Sequence, residues 1–260
     1  SLTLQVMEDF GIQFHVMRKS GDGFENCDWR ELTEARPGEV RIAVMPGSYT
    51  AREYEVEGDW SNASYFLAAG AIGPVPVRVT GVRPDSAQGD RAICDILAAM
   101  GAPVSFEHGG AVARPAKLHG AELDMGRCPD LVPTVAALAA FAEGETVISN
   151  VAHLKIKESD RLEAAAANLR RAGAGAVVFE DGIRIIPAAA RGGFDRSATD
   201  FACFGDHRMA MSASLYALAG LDVALDEPSC VSKSFPDFFA RWEPVARAAR
   251  AASGGGGGAE

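Results

Sequence analysis

Long apolar runs are missing from this chain. Its most hydrophobic window, "DLVPTVAALAAFAEG" from Asp130, contains Pro133 and is too short to span a bilayer. A basic excess is missing too: 25 Lys and Arg face 35 Asp and Glu, a formal net charge of −10. Bulk electrostatics therefore argue against nucleic acid, and an anionic small molecule would need a local basic cluster. Cysteines at metal-ligand or redox spacing are also absent. Cys27, Cys94, Cys128, Cys203 and Cys230 are odd in number and widely spaced, with no CxxC pair. That excludes a disulfide framework and a zinc site, and fits reduced thiols in a cytoplasmic compartment. No signal peptide is visible, and the abrupt start at Ser1 leads us to expect that the true N-terminus lies upstream.

What is present is an ordinary globular composition. Over 260 residues, 48% hydrophobic and 23% charged, the chain can bury the core of one large or two small domains. The end, "AASGGGGGAE", is low in complexity, so residues 248–260 are expected to form a flexible tail outside the fold.

The chain also resembles itself. "GAPVSFEHGGAVARP" from Gly101 and "GAGAVVFEDGIRIIP" from Gly173 both follow a helical pattern, and both carry Phe-Glu and a turn pair before a second apolar run ending in proline. Each predicts a helix, a Gly stop and a tight hairpin, turning at His108-Gly109 and at Asp181-Gly182. The preceding helices match through Asp90-Arg91 and Asp160-Arg161, and "KSFPDFFARWEPVA" supplies a third copy. A second helix type starts at Asp59, Asp130 and Asp206, spaced about 70 residues apart, and each copy is followed by a β-type run. The unit is strand–helix–strand–helix–strand–strand, used about three times after residue 55. An aspartate at such a start is an N-cap. If the units surround a pseudo-threefold axis, their helix N-termini can point one way and favour anions. "SLTLQVMEDFGIQFHVM" predicts a helix stopped at Gly11 and then a strand, as if the chain begins inside a repeat. The turn-rich segment from 20 to 38 is expected to be a loop or small insertion.

Charge gathers where these units join. In "LKIKESDRL", Leu154 and Ile156 alternate with Lys155 and Lys157, which predicts a strand with one buried face. Ser159 or Asp160 can cap the following helix, and Lys157 and Arg161, four apart, could share a helical face around Glu158. Two cations suit phosphate and carboxylate oxygens, and a carboxylate among them can move protons. The competing reading is a solvated turn laced with salt bridges. In "FGDHRMAMS", Arg208 opposes the helix dipole and so needs an anionic partner, with a bound ligand as one candidate. His207 beside it fits catalysis or a supporting hydrogen bond equally. "SKSFPDFF" puts Lys233 at the counterpart of the Lys157 junction. Cys128, two residues before Asp130, reads as an inert buried thiol or as a reactive one.

Taken together, "LKIKESDRL", "GDHRMAMS", "PDLVPTVAALAAFAEG" and "SKSFPDFF" resemble the 5-enolpyruvylshikimate-3-phosphate synthase (3-phosphoshikimate 1-carboxyvinyltransferase) family over nearly the whole chain up to the glycine tail. The related UDP-N-acetylglucosamine enolpyruvyl transferases share the fold but not the KESDRL and DHRMA runs. The resemblance implies an α/β (α+β) fold of repeated βαβαββ units, an active site without metal or cofactor, and transfer of enolpyruvate from phosphoenolpyruvate to the 5-hydroxyl of shikimate-3-phosphate with release of phosphate. It implies roles for Asp130 at the shikimate hydroxyls and in proton transfer, for Lys157 between the substrates, and for Glu158 in proton transfer at the methylene carbon. Arg161, Arg208 and Lys233 would hold the phosphoenolpyruvate anion with His207 beside them. His153 stands where some members carry an asparagine that contacts shikimate-3-phosphate.

The family's basic N-terminal segment and its Ser-Ser-Gln phosphate-binding run are absent here. By resemblance, residues 1–57 are the end of the shikimate-3-phosphate-binding domain and the return crossing, and 58–247 are the second domain. The chain is expected to be a carboxyl-terminal portion with half of a site, completed by the missing N-terminal portion. A non-catalytic module derived from the enzyme and a nucleotide-sugar enolpyruvyl transferase are the competing expectations.

Overall fold

The computed structural model describes residues 2–32 and 35–254. The chain divides into two compact units, Ser1–Glu57 with Asp85–Gln88, and Gly58–Pro84 with Gly89–Glu260.

The first unit holds α1 (Leu2–Asp9), β1 (Phe14–Ser20), β2 (Gly23–Asn26) and β3 (Val40–Val44), with sheet order β2-β1-β3, all antiparallel. Gly11 (φ +80°) ends the helix as its position predicts. The segment expected to be a loop contributes β2 instead. The turn at Gly21-Asp22 folds "GFEN" back on β1, with Ser20 opposite Gly23.

The second unit repeats one supersecondary pattern. Its first copy is α2 (Trp60–Ile72), β4 (Val77–Thr80), α3 (Ile93–Ala99), β5 (Ser105–Glu107) and β6 (Gly110–Ala113). The second is β7 (Glu122–Asp124), α4 (Val132–Ala139), β8 (Thr146–Ser149), α5 (Arg161–Arg171), β9 (Gly175–Phe179) and β10 (Gly182–Ile186). The third is β11 (Asp200–Phe201), α6 (His207–Ala213), β12 (Ala224–Leu225) and α7 (Phe238–Gly254). The sheets run β4-β6-β5, β7-β8-β10-β9 and β11-β12. β7–β8 and β11–β12 are parallel, as a strand–helix–strand crossover requires, while the hairpins are antiparallel.

The first helices of the three copies form the centre. All eight residues of α4 are buried, and α4 packs on both α2 and α6, whose continuing 3₁₀ turn Ser214–Ala219 reaches α2. A small residue also lets α2 lie close on its own sheet. A Cβ on Gly70 would stand 2.7 Å from the Ala113 carbonyl of β6. One polar contact is buried between α2 and α4, where the Ser64 and Thr134 hydroxyls lie 3.0 Å apart. Each fully buried Leu or Val here stabilises the fold by roughly 1.5–3 kcal/mol relative to exposure.

The structure corrects several local expectations. The first hairpin turns at His108-Gly109, both with positive φ. The second turns at Glu180-Asp181, one residue earlier than expected, and Gly182 already pairs with Phe179. Gly182 is needed for closeness rather than for turning, because its Cβ would collide with the Ile148 carbonyl of β8. The "LKIK" run is a 3₁₀ turn, Ala152–Ile156, and not a strand. Asn150 adopts φ +62° just after β8 and deflects the chain, so Leu154 is fully buried while Ile156 is 85% exposed. Helix α7 continues to Gly254, so the expected tail is helical over 248–254, where alanine-rich sequence sustains it; residues 255–260 lie outside the described residues. Among the described residues no helix is long and apolar enough to cross a membrane.

Candidate active site

Within the second unit, Arg161 is the hub of a charged cluster. It is the first residue of α5, which Asp160 caps by accepting from the Leu162 and Glu163 amides at 3.2 and 3.1 Å. Its side chain is only 2% exposed, and each nitrogen meets a different carboxylate. Nε donates to Asp206 Oδ2 at 2.8 Å, Nη1 to Asp130 Oδ1 at 2.8 Å and Nη2 to Glu158 Oε2 at 2.7 Å. A buried guanidinium survives only with such complete pairing.

Two further cations extend the chain of charges. Arg208, in the first turn of α6, donates from Nη2 to Asp130 Oδ2 at 3.0 Å and from Nη1 to the Asp130 carbonyl at 3.3 Å. Burial pulls against its charge, but Tyr65, Asp130 and Asp90 outweigh that and raise its pKa. Lys233 ends the 3₁₀ turn Pro228–Lys233 and donates to Glu158 Oε1 at 2.9 Å. The order is Arg208, Asp130, Arg161, Glu158, Lys233, alternating in sign, with Asp206 beneath. The hydrogen bond from Lys233, then that from its own backbone N–H, holds Glu158 down at about 2, with Arg161 adding to the effect.

The anionic partner that Arg208 requires is therefore Asp130. Asp130 itself is not the N-cap expected from the repeat. It sits inside the 3₁₀ turn Pro129–Leu131, one turn ahead of α4, which frees its carboxylate to join two arginines. Asp59 and Asp206 do cap α2 and α6. Asp206, fully buried, also receives Ser159 Oγ at 3.2 Å. Sequence reading recognised Asp206 only as a cap and missed its pairing with Arg161. The available signal was Arg161 and Arg208, one and two residues after the repeat aspartates Asp160 and Asp206, more cations than an exposed turn needs.

Other expected site residues fall differently. His207 is buried beside Asp206, with Nδ1 3.8 Å from Oδ1, and burial lowers its pKa. Lys157 is exposed on the link between the 3₁₀ turn and α5, not on the helical face of Arg161, and among the described residues its side chain has no hydrogen bond or ion pair. His153 is likewise exposed and outside the charge chain. Lys155 turns away and donates to the Phe179 carbonyl of β9 at 3.2 Å, a structural tie. Cys128 is 5% exposed and burial raises its pKa to about 11, so it is the inert thiol.

Two groups unforeseen from sequence border the cluster. Asp90, whose pKa is raised by burial, accepts from Ser61 Oγ and lies in the fields of Arg208 and Asp130. Tyr65 is fully buried, and burial drives its phenol up to about 12 against the pull of Arg208. Among the described residues no group of three or more His, Cys, Asp or Glu side chains is placed to hold a metal. The cluster can bind anionic oxygens through three cations and can move protons through two partly accessible carboxylates.

The family model described as EPSP synthase (3-phosphoshikimate 1-carboxyvinyltransferase) matches residues 33–242. The chain is 46% identical over 246 residues to the 3-phosphoshikimate 1-carboxyvinyltransferase of Shewanella amazonensis, covering 95% of this chain and 52% of that protein. It is 40% identical over 245 residues to the enzyme of the same name from Actinobacillus pleuropneumoniae, covering 94% and 51%. It thus spans about half the length of the curated relatives it matches. Among solved structures, EPSP synthase from Acinetobacter baumannii shares its fold with a TM-score of 0.64 at 24% identity, over 94% of this chain and 54% of that one. The enolpyruvyl transferase NikO from Streptomyces tendae does so with 0.61 at 19%, over 93% and 52%.

Proposed function

The chain belongs to the EPSP synthase family, and from that premise we propose that it carries part of an active site that transfers the enolpyruvyl group of phosphoenolpyruvate to the 5-hydroxyl of shikimate-3-phosphate and releases phosphate. The observation that carries this reading is the convergence of Arg161, Arg208 and Lys233, from three separate elements, on interleaved carboxylates. Such a set can grip a phosphate and a carboxylate at once.

In this reading Arg161, Arg208 and Lys233 hold the phosphoenolpyruvate anion, with His207 packed beside them. Lys157, exposed and without a partner among the described residues, reaches between the two substrates. Glu158 delivers a proton to the methylene carbon, which leaves a cationic centre at the neighbouring carbon. The 5-hydroxyl attacks that centre while Asp130 takes its proton. The tetrahedral adduct then loses a proton from the new methyl group and expels phosphate, restoring the double bond. His153 is the candidate contact to shikimate-3-phosphate. Residues 1–57 would be the end of the shikimate-3-phosphate-binding domain and 58–247 the second domain. Further substrate contacts would come from the remainder of the enzyme.

The test is phosphate release from phosphoenolpyruvate and shikimate-3-phosphate. The 260-residue chain alone should show no turnover, and turnover should appear when the N-terminal half of a close relative is added. Persistent silence of the mixture, with both parts folded and bound to each other, would overturn the assignment.

A further inference from the structure

Glu158 occupies an unusual position for a residue proposed to move protons. Its two oxygens are each taken by a cation from a different element, Oε1 by Lys233 and Oε2 by Arg161. That is how a bound oxyanion is held. Arg161 does not depend on Glu158 for its place, since Nε and Nη1 are fixed by Asp206 and Asp130. Lys233 is 61% exposed and so open to an arriving ligand. Glu158 itself lies on the short link between the 3₁₀ turn and α5, outside both helices, where its side chain can swing without unwinding either.

We infer that Glu158 is a built-in competitor for the anion seat between Arg161 and Lys233, and that an entering substrate anion displaces it. The inference rests on the function proposed above and deepens it. Displacement leaves a ready dicationic pocket, Lys233 Nζ and Arg161 Nη2, for phosphate or carboxylate oxygens. It also changes the displaced group. While seated, Glu158 is held at about 2 by Lys233, its own backbone N–H and Arg161, and is a poor proton donor near neutrality. Once released it returns toward the ordinary carboxylate range. The other ionisable groups near it are Asp130 and Asp206 across Arg161 and His207 on α6. Anion entry and readiness for proton transfer are thereby one event.

The test uses the 260-residue chain and inorganic phosphate, followed by ³¹P NMR titration, and needs no turnover. Removing the competitor with Glu158→Gln should tighten phosphate binding roughly tenfold or more, because the cations then lack an internal anion. Glu163→Gln, on the exposed face of α5, should match the parent chain. Equal or weaker binding by Glu158→Gln, with measurable binding by the parent, overturns the inference and leaves the proposed function standing, with Glu158 reduced to a positioner of cations. Absence of phosphate binding in both proteins overturns the anion seat itself, and with it the site assignment. A second readout covers the case in which the variant does not fold. In the parent chain at pH 4–5, saturating phosphate should shift the Glu158 carboxyl ¹³C resonance toward its protonated position, and an unmoved resonance overturns the exchange.

Discussion

Arg161 Nε donates to Asp206 Oδ2 at 2.8 Å, and both side chains are almost wholly out of water. The bond joins the first turn of α5 to the cap of α6, since Asp206 also accepts from the Arg208 amide at 2.9 Å. One carboxylate therefore sets the position of two arginines. Asp206→Asn should leave a buried guanidinium with a weakened partner and cost on the order of 3 kcal/mol of stability. Urea unfolding of the variant checks this. A double-mutant cycle with Arg161→Gln should return a coupling energy of about 1 kcal/mol or more, and strict additivity would deny the pairing.

Lys157 and Arg208 separate binding chemistry from folding. Lys157 is exposed without a partner among the described residues, so Lys157→Met should change stability by no more than about 0.5 kcal/mol. Arg208→Ala removes two hydrogen bonds to Asp130 and should cost about 1–3 kcal/mol, with the fold retained because Arg161 still holds Asp130. In the reconstituted enzyme both variants should lose at least about 100-fold in turnover. Normal turnover in both, measured by phosphate release, would sink the site assignment.

Much of this was legible in the sequence because repeats are legible. The paired "FE…G" hairpins, the Gly101 and Gly173 stops and the caps at Asp59 and Asp206 follow from local rules of turns and caps, and the repeat made them mutually supporting. What could not be read was direction in space. Leu154 and Ile156 alternate as a strand would, yet a left-handed Asn150 turns the segment and buries only one of them. Asp130 occupies a cap position by alignment, but an added 3₁₀ turn moves it out of the cap and into the charge chain. The four-residue spacing of Lys157 and Arg161 suggested a shared helical face, but α5 begins only at Arg161 and leaves Lys157 on the link before it.

The acid limb of stability should carry the mark of Glu158. Its folded pKa, about 2, lies below the ordinary glutamate value of 4.5. A depressed carboxyl contributes its full stabilisation above the unfolded value and loses it as pH falls toward the folded one. Stability should therefore decline between about pH 4.5 and 2, and Glu158→Gln should flatten that decline by on the order of 1 kcal/mol. The figure is kept small because Lys233 is exposed and water screens the pair. Urea midpoints measured at pH 5, 4 and 3 for both proteins check it, and parallel curves would refute it.

Gly70 tests how closely α2 is pressed on its sheet. In an open helix, Gly→Ala gains about 0.5–1 kcal/mol of backbone propensity. Here the added methyl would meet the Ala113 carbonyl at 2.7 Å, the Val77 amide nitrogen at 3.0 Å and the Ala113 side chain at 3.1 Å. Two of those neighbours are backbone atoms of β4 and β6, which cannot rotate aside. Overpacking of this kind costs about 1–3 kcal/mol, so the clash outweighs the propensity and Gly70→Ala should lower the melting temperature. A raised melting temperature would mean that α2 can ride up from the sheet. The Asp59 cap and Ser61, which begin α2 beside Asp90, would then sit on a movable helix rather than on a fixed one.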